Sequence, residues 1–270
     1  MSENVNRHAY VGIEQVSGYA DRESLLEYRR GRLVKYAPVV DFLVARSAAP
    51  ISVVEIGSGS SALLYALAQA GRLHQGLGIE LSPSRHEFAE LWKQDDGVAN
   101  VTNLNASFDE CAMAAATWDW LVVVDNTFTY LAPEDAGYPA QLLRQAFAAL
   151  KDDGRVLLDF INYARRVPGT DYRQWARYPD TDPYSFGLYS NKIEAGVNHC
   201  ESIFIKRDGS EWHKREQSQV YPLAELAALL GSCGFVVQEV FAMFDGEAYV
   251  ESESDRLLVV AGKRALTKDV

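Results

Sequence analysis

The stretch VVEIGSGSSALLYALAQAG, residues 53–71, constrains the fold more than any other part of the sequence. An apolar run containing Glu55 leads to Gly57 and Gly59, and an apolar helical pattern follows. A strand, a tight glycine turn and a helix N-terminus together form a cradle for a nucleotide-like ligand. The stretch therefore predicts an α/β protein with a parallel sheet and a ligand at the end of its first strand.

The order of the remaining elements predicts a doubly wound, seven-stranded sheet. Strand-like runs alternate with helical patterns from residue 50 to residue 162, which is typical of parallel strands joined by crossover helices. Two further strand-like runs, FVVQEVFAMF and RLLVVAGKR, close the chain, and the polar loop between them is too short for a crossover helix. We therefore expect five parallel strands plus a reversed C-terminal pair.

The segment between the fifth strand and this pair breaks the alternation. Residues 163–196 are rich in Tyr, Arg, Asp and Pro without a clean period, whereas VNHCESIFIKR and EWHKREQSQVY flank a DGS turn and predict an antiparallel hairpin. We expect the irregular, aromatic part to cover the substrate as a lid. The predicted organisation is an N-terminal helical cap over 1–49, a Rossmann-like core over 50–162, an inserted lid and hairpin over 163–220, and completion of the core sheet over 221–270.

Composition and charge narrow the function classes. The 270 residues carry a formal net charge of -11, which argues against the basic surface of a nucleic-acid-binding protein. No apolar run approaches the roughly 20 residues that span a bilayer, and no secretory signal pattern is seen. The cysteines and histidines are scattered, without metal-ligand spacing. We expect a cytoplasmic protein with a small-molecule partner and no metal, nucleic acid or membrane; self-association is left open.

Two classes of cofactor use such a cradle: dinucleotides and S-adenosyl-L-methionine (SAM). Ala62 stands where a dinucleotide-binding loop has its third small residue. Glu80, about twenty residues further on, stands where such a site has the acid that binds the ribose. Glu55 would repel a pyrophosphate at close range but suits a ligand with a cationic amino-acid tail. The reversed closing strands and the lack of a Tyr-x-x-x-Lys pair also favour SAM. An NAD(P)-dependent oxidoreductase and a SAM-binding module without catalysis are the alternatives.

From about residue 30 to residue 264 the chain resembles the class I SAM-dependent methyltransferases. The resemblance is carried by the ExGxG of residues 55–59 together with GIEL, WDWLVVVDN and LKDDGRVLLDF. Three shorter segments, DNTFTYL, LLDFINY and RLVKY, resemble the glycine and sarcosine N-methyltransferase branch of small-molecule enzymes. The resemblance implies transfer of a methyl group from SAM, which becomes S-adenosyl-L-homocysteine, to an amine or hydroxyl of a small molecule, with an amine favoured.

The resemblance implies that cofactor contacts come from the strand ends. Gly57 and Gly59 let the backbone approach the cofactor, Glu80 accepts hydrogen bonds from both ribose hydroxyls, and Leu81 packs on the adenine. The acid that commonly receives the adenine amino group is absent after the third strand. Asn105, Ala106 and Ser107 follow that strand near the adenine, and the acceptor stays open among Asn105, Ser107 and Asp109.

The amino-acid part of SAM needs its own partners. Val124 and Asp125 are expected to flank the sulfonium, and Glu55 to meet the cationic tail. Arg32 is the expected partner of the SAM carboxylate, with Tyr19 as a helper near the entrance. Arg29 and Arg30 compete with Arg32 for that role, because EYRRGR is also typical of a solvated helix face.

For the acceptor, Asn126 is the strongest single prediction, because it follows the strand at the switch point of the sheet. Tyr130, with Phe128, is expected to line the acceptor pocket, and Asn162 and Tyr163 to lie on the same rim. A hydroxyl acceptor would need a base, for which Asp125, His199 and His213 are candidates. Ile161 stands where the glycine-methylating relatives carry an arginine. An apolar side chain cannot pair a carboxylate, so glycine itself is not the expected substrate.

Overall fold

The computed structural model describes residues 6, 14–19, 21–180 and 182–264. Its helices are α1 (Arg22–Ala45), α2 (Ala62–Gln69), α3 (Pro83–Asp96), α4 (Leu131–Glu134), α5 (Tyr138–Ala149) and α6 (Leu223–Ser232). Its strands are β1 (Ile51–Ile56), β2 (Leu73–Glu80), β3 (Val101–Asn105), β4 (Trp118–Val123), β5 (Leu150–Ile161), β6 (Asp171–Arg177), β7 (Tyr184–Glu194), β8 (Val197–Lys206), β9 (Glu211–Gln219), β10 (Phe235–Phe241) and β11 (Arg256–Lys263).

Seven of the strands form one sheet in the order β10–β11–β5–β4–β1–β2–β3. The first five strands in the chain pair in parallel, whereas β11 is antiparallel to both of its neighbours, β5 and β10. The predicted doubly wound sheet with an antiparallel closing pair is therefore confirmed. The strand order reverses between β1 and β4, and such a switch point leaves a crevice at the carboxyl ends of the strands.

Two apolar layers enclose this sheet. Successive side chains of a strand point to opposite faces. In β1, Val53 therefore packs in a cluster with α1, α2 and α3, whereas Val54 packs in another with α5 and α6. Both valines are fully buried. Burial on both faces explains why the parallel strands read as continuous apolar runs rather than as alternating ones.

The remaining four strands form a separate antiparallel sheet in the order β6–β7–β8–β9. The predicted hairpin is confirmed as β8–β9, but the expectation of irregular structure over 163–196 is wrong, because β6 and β7 lie there. Every side chain of β6 is exposed or only partly buried. The strand therefore lacks the alternation of polar and apolar residues that would have revealed it.

Parts of three predicted units lie outside the described residues. These are residues 1–5, 7–13 and 20 of the N-terminal cap, residue 181 of the lid unit and residues 265–270 of the C-terminal unit. The described part of the cap consists mainly of α1. Among the described helices, none has the length and apolarity that crossing a membrane requires.

Candidate active site

A cleft of about 390 Å³ opens at the carboxyl ends of the parallel strands. A larger hollow of about 750 Å³ lies on the four-stranded sheet, but it contains none of the strand-end residues. The chemistry predicted from the sequence is therefore concentrated in the smaller cleft. The predicted site residues that line it are Arg32, Gly57, Gly59, Glu80, Leu81, Ala106, Ser107, Asp125, Asn126 and Tyr130.

The glycine loop after β1 is held tightly against its neighbours. The amides of Gly57 and Ser58 both donate to the carbonyl of Ile79, at 2.8 and 3.1 Å. Gly57 has a φ of +69°, and a Cβ atom at this position would lie 2.5 Å from Cγ2 of Thr127. Only glycine fits such a left-handed, crowded position without strain. The loop backbone is thereby kept at the floor of the cleft.

Glu80 ends β2 as a buried carboxylate held by backbone amides. Its Oε2 accepts from the amide of Gly59 at 2.8 Å, and its Oε1 accepts from the amide of Ser82 at 2.7 Å. An ionised carboxylate has about four acceptor positions, so two hydrogen bonds leave room for two further donors. The carboxylate is oriented in advance, and Glu80 lines the cleft.

The chain leaves β4 through two consecutive left-handed residues that are not glycine. Asp125 and Asn126 have φ values of +54° and +72°, each costing on the order of 1 kcal/mol or more of backbone strain. The amides of both residues donate to Asp159, to its carboxylate at 3.2 Å and its carbonyl at 3.1 Å respectively. Strained backbone held this firmly is characteristic of functional sites.

The Asp125 carboxylate is bound to α1. Its Oδ2 accepts from Lys35 Nζ at 2.5 Å and from the Tyr36 hydroxyl at 2.8 Å. Burial acts to raise the pKa of Asp125, but the attraction of Lys35 and these hydrogen bonds outweigh it and hold the pKa below its usual range. A carboxylate with a lowered pKa is a poor proton acceptor. Asp125 is thus unsuited to the role of general base.

Arg32 is the arginine of EYRRGR that reaches the cleft. Its Nη2 donates to the Tyr36 hydroxyl at 3.2 Å, and its Nε lies 3.7 Å from Oε1 of the buried Glu14. Arg29 instead pairs with Asp95 at 2.8 Å and is buried. Arg30 is exposed and does not line the cleft, so the geometry separates Arg32 from both competitors on the same helix.

Sequence reasoning missed the two residues of α1 that join Arg32 at the cleft, Lys35 and Tyr36, and also missed Arg85 of α3. Residues three and four apart share one face of a helix. The spacing of Arg32, Lys35 and Tyr36 was therefore a usable signal.

Glu55 lies beneath the cleft rather than on its wall. Its side chain is 1% exposed, and its Oε2 has no hydrogen-bond partner among the described residues. Burial, followed by repulsion from Asp125, raises the pKa of Glu55 well above its ordinary value. Arg32 and Lys35 oppose that shift, which places Glu55 within the electrostatic reach of the residues that line the cleft.

The structure does not bring Asn162 and Tyr163 to the cleft. After Ile161, which lines it, the side chain of Asn162 turns away and donates to the carbonyls of Glu251 and Ser254 at 2.8 and 3.0 Å. Burial raises the pKa of Tyr163, and Glu216 on β9 adds to the shift, whereas Arg166 and Arg256 oppose it; the Tyr163 side chain does not line the cleft. Adjacent residues at a strand end point in opposite directions, which separates Ile161 from Asn162.

Three residues predicted to bind the cofactor also lie off the cleft wall. Tyr19 packs on Tyr28, with ring centroids 5.3 Å apart, and lines a neighbouring hollow. Asn105 donates to the carbonyls of Glu80 and Leu81 and so fastens the loop after β2. Val124 is buried in the core beneath the turn.

The aromatic segment predicted to act as a lid does not line the cleft either. Among the described residues, none between Ile161 and Arg256 in the sequence is part of the cleft lining. Phe128, predicted to line the acceptor pocket, is fully buried, with its ring 5.5 Å from that of Tyr221. The four-stranded sheet does flank the site, because Asn126 donates to Ser218 of β9 at 3.3 Å. The lid assignment for this unit stays a prediction.

Comparison with known families decides the class of the protein. The family described as the methyltransferase domain matches residues 26–240. The chain belongs to this family. The methyltransferase is therefore a SAM-dependent enzyme, and SAM is its methyl donor. No curated protein matches its sequence.

Solved structures share the fold of this methyltransferase at low sequence identity. The CcbJ methyltransferase from Streptomyces caelestis is 19% identical, with a TM-score of 0.71 over 84% of this chain and 89% of that one. SAM-bound CalS10, an amino pentose methyltransferase from Micromonospora echinaspora, is 17% identical, with a TM-score of 0.65 over 91% and 98%. The sugar N-methyltransferase KedS8 from a Streptoalloteichus species is 15% identical, with a TM-score of 0.57 over 91% and 89%.

Proposed function

We propose that this methyltransferase transfers the methyl group of SAM to an amino nitrogen of a small, sugar-like molecule. The observation that carries the choice of nitrogen is the state of Asp125, whose carboxylate is occupied by Lys35 and Tyr36 and has a lowered pKa. A hydroxyl acceptor needs a base, whereas an amine needs only its neutral form. The other bases considered, His199 and His213, lie on β8 and β9 and do not line the cleft.

The structural neighbours support a sugar-like acceptor. CalS10 is described as an amino pentose methyltransferase and KedS8 as a sugar N-methyltransferase. Both align with 91% of this chain. The branch of glycine and sarcosine enzymes carries less weight, because Ile161 offers no cation to a substrate carboxylate.

The lining of the cleft fits SAM part by part. The buried carboxylate of Glu80 is prepared for the ribose hydroxyls, and the loop glycines leave space for backbone contact. Leu81, Ala106 and Phe108 line the same end and offer an apolar surface to the adenine. Arg32 offers a guanidinium to the carboxylate of the methionine part, and Lys35 offers an ammonium close by.

SAM supplies an electrophilic methyl group on a positively charged sulfur, so the leaving group needs no acid from the protein. The task of the chain is to hold the acceptor nitrogen in line with the methyl group and to exclude water. Alignment of this kind is worth effective molarities on the order of 10⁵ M or more. Tyr130 and Asn126 line the cleft beside the strained turn and are the residues proposed to position the acceptor.

A product assay tests the proposal. The enzyme is incubated with isotope-labelled SAM and a panel of amino sugars, amino acids, neutral sugars and phenols, and products are identified by mass spectrometry. We expect methylation on nitrogen, with amino sugars preferred and glycine poor. Methylation confined to the phenols or neutral sugars would show that the acceptor assignment is wrong. Thermal stabilisation by NADH but not by SAM would remove the cofactor assignment as well.

Glu55 provides a separate prediction from its raised pKa. Burial holds this carboxyl protonated at pH values where an exposed glutamate, with a pKa of about 4.3, is ionised. Its proton leaves only as the pH rises through the raised pKa. A cationic ligand nearby favours the ionised form, so SAM should release up to one proton when it binds at a pH below the raised pKa, and its affinity should rise with pH until that pKa is passed.

Calorimetry in two buffers of different ionisation enthalpy measures that release directly. The binding heats of the wild type should differ between phosphate and Tris, and the difference should vanish in Glu55→Gln. Glu87→Gln, which alters an exposed carboxylate on α3, serves as the control and should keep the difference. Equal heats for the wild type in both buffers would exclude Glu55 as a proton-linked partner of SAM.

A further inference from the structure

Arg256 introduces a guanidinium into the cleft from the last strand of the sheet. It begins β11 directly opposite Ile161 of β5, and both residues line the cleft. Nothing in the glycine motif or the neighbouring strand ends points to this residue. It reaches the site because β11 runs antiparallel to β5, which brings its first residue to the carboxyl edge of the parallel strands.

The guanidinium is held in one orientation by a buried carboxylate. Its Nε donates to Oδ1 of Asp159 at 2.8 Å, and its Nη2 donates to Oδ2 at 2.6 Å. The Asp159 side chain is 2% exposed, whereas that of Arg256 is 28% exposed. Asp159 also accepts the amide of Asp125, so one carboxylate fixes both the turn after β4 and the arginine beside it.

This arrangement leaves N–H groups of Arg256 available. A guanidinium carries five N–H donors, and the fork to Asp159 uses two of them. Nη1 makes no hydrogen bond to any described residue. Asn126, which also lines the cleft, is partly engaged: its Oδ1 accepts from the amide of Ile161 at 3.2 Å and its Nδ2 donates one hydrogen bond to Ser218, which leaves one N–H for the acceptor.

We propose that Arg256 determines acceptor specificity by donating a hydrogen bond from Nη1 to an uncharged oxygen, a hydroxyl or carbonyl, next to the amine to be methylated. This inference rests on the proposed function. The oxygen is uncharged because Arg256 and Asp159 together carry no net charge, so their pair offers little to offset the desolvation of a carboxylate. An amine flanked by a hydroxyl is the arrangement found in amino sugars.

Two simple amines that differ by one hydroxyl test the inference directly. Binding of trans-2-aminocyclohexanol and of cyclohexylamine to the complex with S-adenosyl-L-homocysteine is measured by calorimetry. The wild type should bind the amino alcohol about 10- to 100-fold more tightly, the range expected for a hydrogen bond from a charged donor. The carboxylate analogue, trans-2-aminocyclohexanecarboxylate, should bind no better than cyclohexylamine.

Two variants assign that preference to Arg256. Arg256→Lys keeps the charge and the pairing with Asp159 but loses the planar fork. Arg256→Gln combined with Asp159→Asn removes both charges together, so that no buried carboxylate is left without its partner. Both variants should lose most of the preference for the amino alcohol, while in Arg256→Lys, which keeps the pairing with Asp159, the Kd for cyclohexylamine and the Kd for SAM stay within about twofold of the wild type.

The outcomes separate this inference from the proposed function. An equal preference in the wild type and both variants, no binding of either amine, or tighter binding of the carboxylate analogue would each overturn the role given to Arg256. Failure of the wild type to bind SAM would instead overturn the proposed function.

Discussion

Replacing Gly57 with alanine is expected to raise the Kd for SAM about a hundredfold or more. The backbone at this position has a φ of +69°, and the added Cβ would lie 2.5 Å from Cγ2 and 2.8 Å from Oγ1 of Thr127. The left-handed conformation costs an alanine on the order of 1 kcal/mol, and relief of the contact requires the loop to move away from the turn after β4. A loss of about 3 kcal/mol corresponds to a hundredfold change in affinity. Calorimetric titration with SAM measures it.

Two further variants separate the contact with Thr127 from the backbone strain. Gly71 has nearly the same φ, +65°, but a Cβ there would meet no atom within 4 Å. Gly71→Ala should therefore cost stability without changing the Kd for SAM. Because the atoms in the way belong to a side chain, Gly57→Ala combined with Thr127→Ala should recover part of the affinity. If Gly57→Ala binds SAM within threefold of the wild type, the close approach of this loop is not needed for binding.

The site residues that were predicted from the sequence are those that lie in, or directly after, a strand with a strong apolar pattern. The loop from Glu55 to Gly59 and the acid that ends β2 follow strands with strong apolar runs, and parallel strands bring their carboxyl ends to one edge. Gly57, Glu80 and Asp125 were therefore placed together from the pattern of strands and from the resemblance to the class I methyltransferases.

The residues that were missed depend on contacts distant in sequence. Lys35 and Tyr36 meet Asp125 across 90 and 89 residues, and Arg256 meets Asp159 across 97. The spacing of Lys35 and Tyr36 places them on one helix face with Arg32, but a single sequence does not show which distant residues that face meets. Asn162 follows the fifth strand as predicted but does not line the cleft, for a related reason: its side chain donates to the carbonyls of Glu251 and Ser254, across 89 and 92 residues.

Glu80→Gln is expected to weaken SAM binding by about 30- to 100-fold. Both carboxylate oxygens already accept loop amides, Oε2 from Gly59 and Oε1 from Ser82. A glutamine supplies one acceptor oxygen, so its NH₂ group must face one of these amide donors. This contact disturbs the loop, and the substitution also removes the negative charge. Hydrogen bonds to a charged acceptor contribute about 1.5–3 kcal/mol, and the loss of one such bond to a ribose hydroxyl gives a change of this size.

The same geometry predicts how the other substitutions at this position rank. Glu80→Asp keeps the charge but shortens the side chain, so it should lie between the wild type and Glu80→Gln in affinity for SAM. Glu80→Ala leaves the amides of Gly59 and Ser82 without their acceptor, and should lower the free energy of unfolding by about 1–3 kcal/mol in addition to weakening binding. Glu87→Gln, at an exposed position of α3, is the matched control and should change neither quantity. Calorimetry measures the Kd for SAM, and chemical denaturation measures the free energy of unfolding. If the Kd for SAM is unchanged in both Glu80→Gln and Glu80→Ala, this buried carboxylate orders the loop without touching the cofactor.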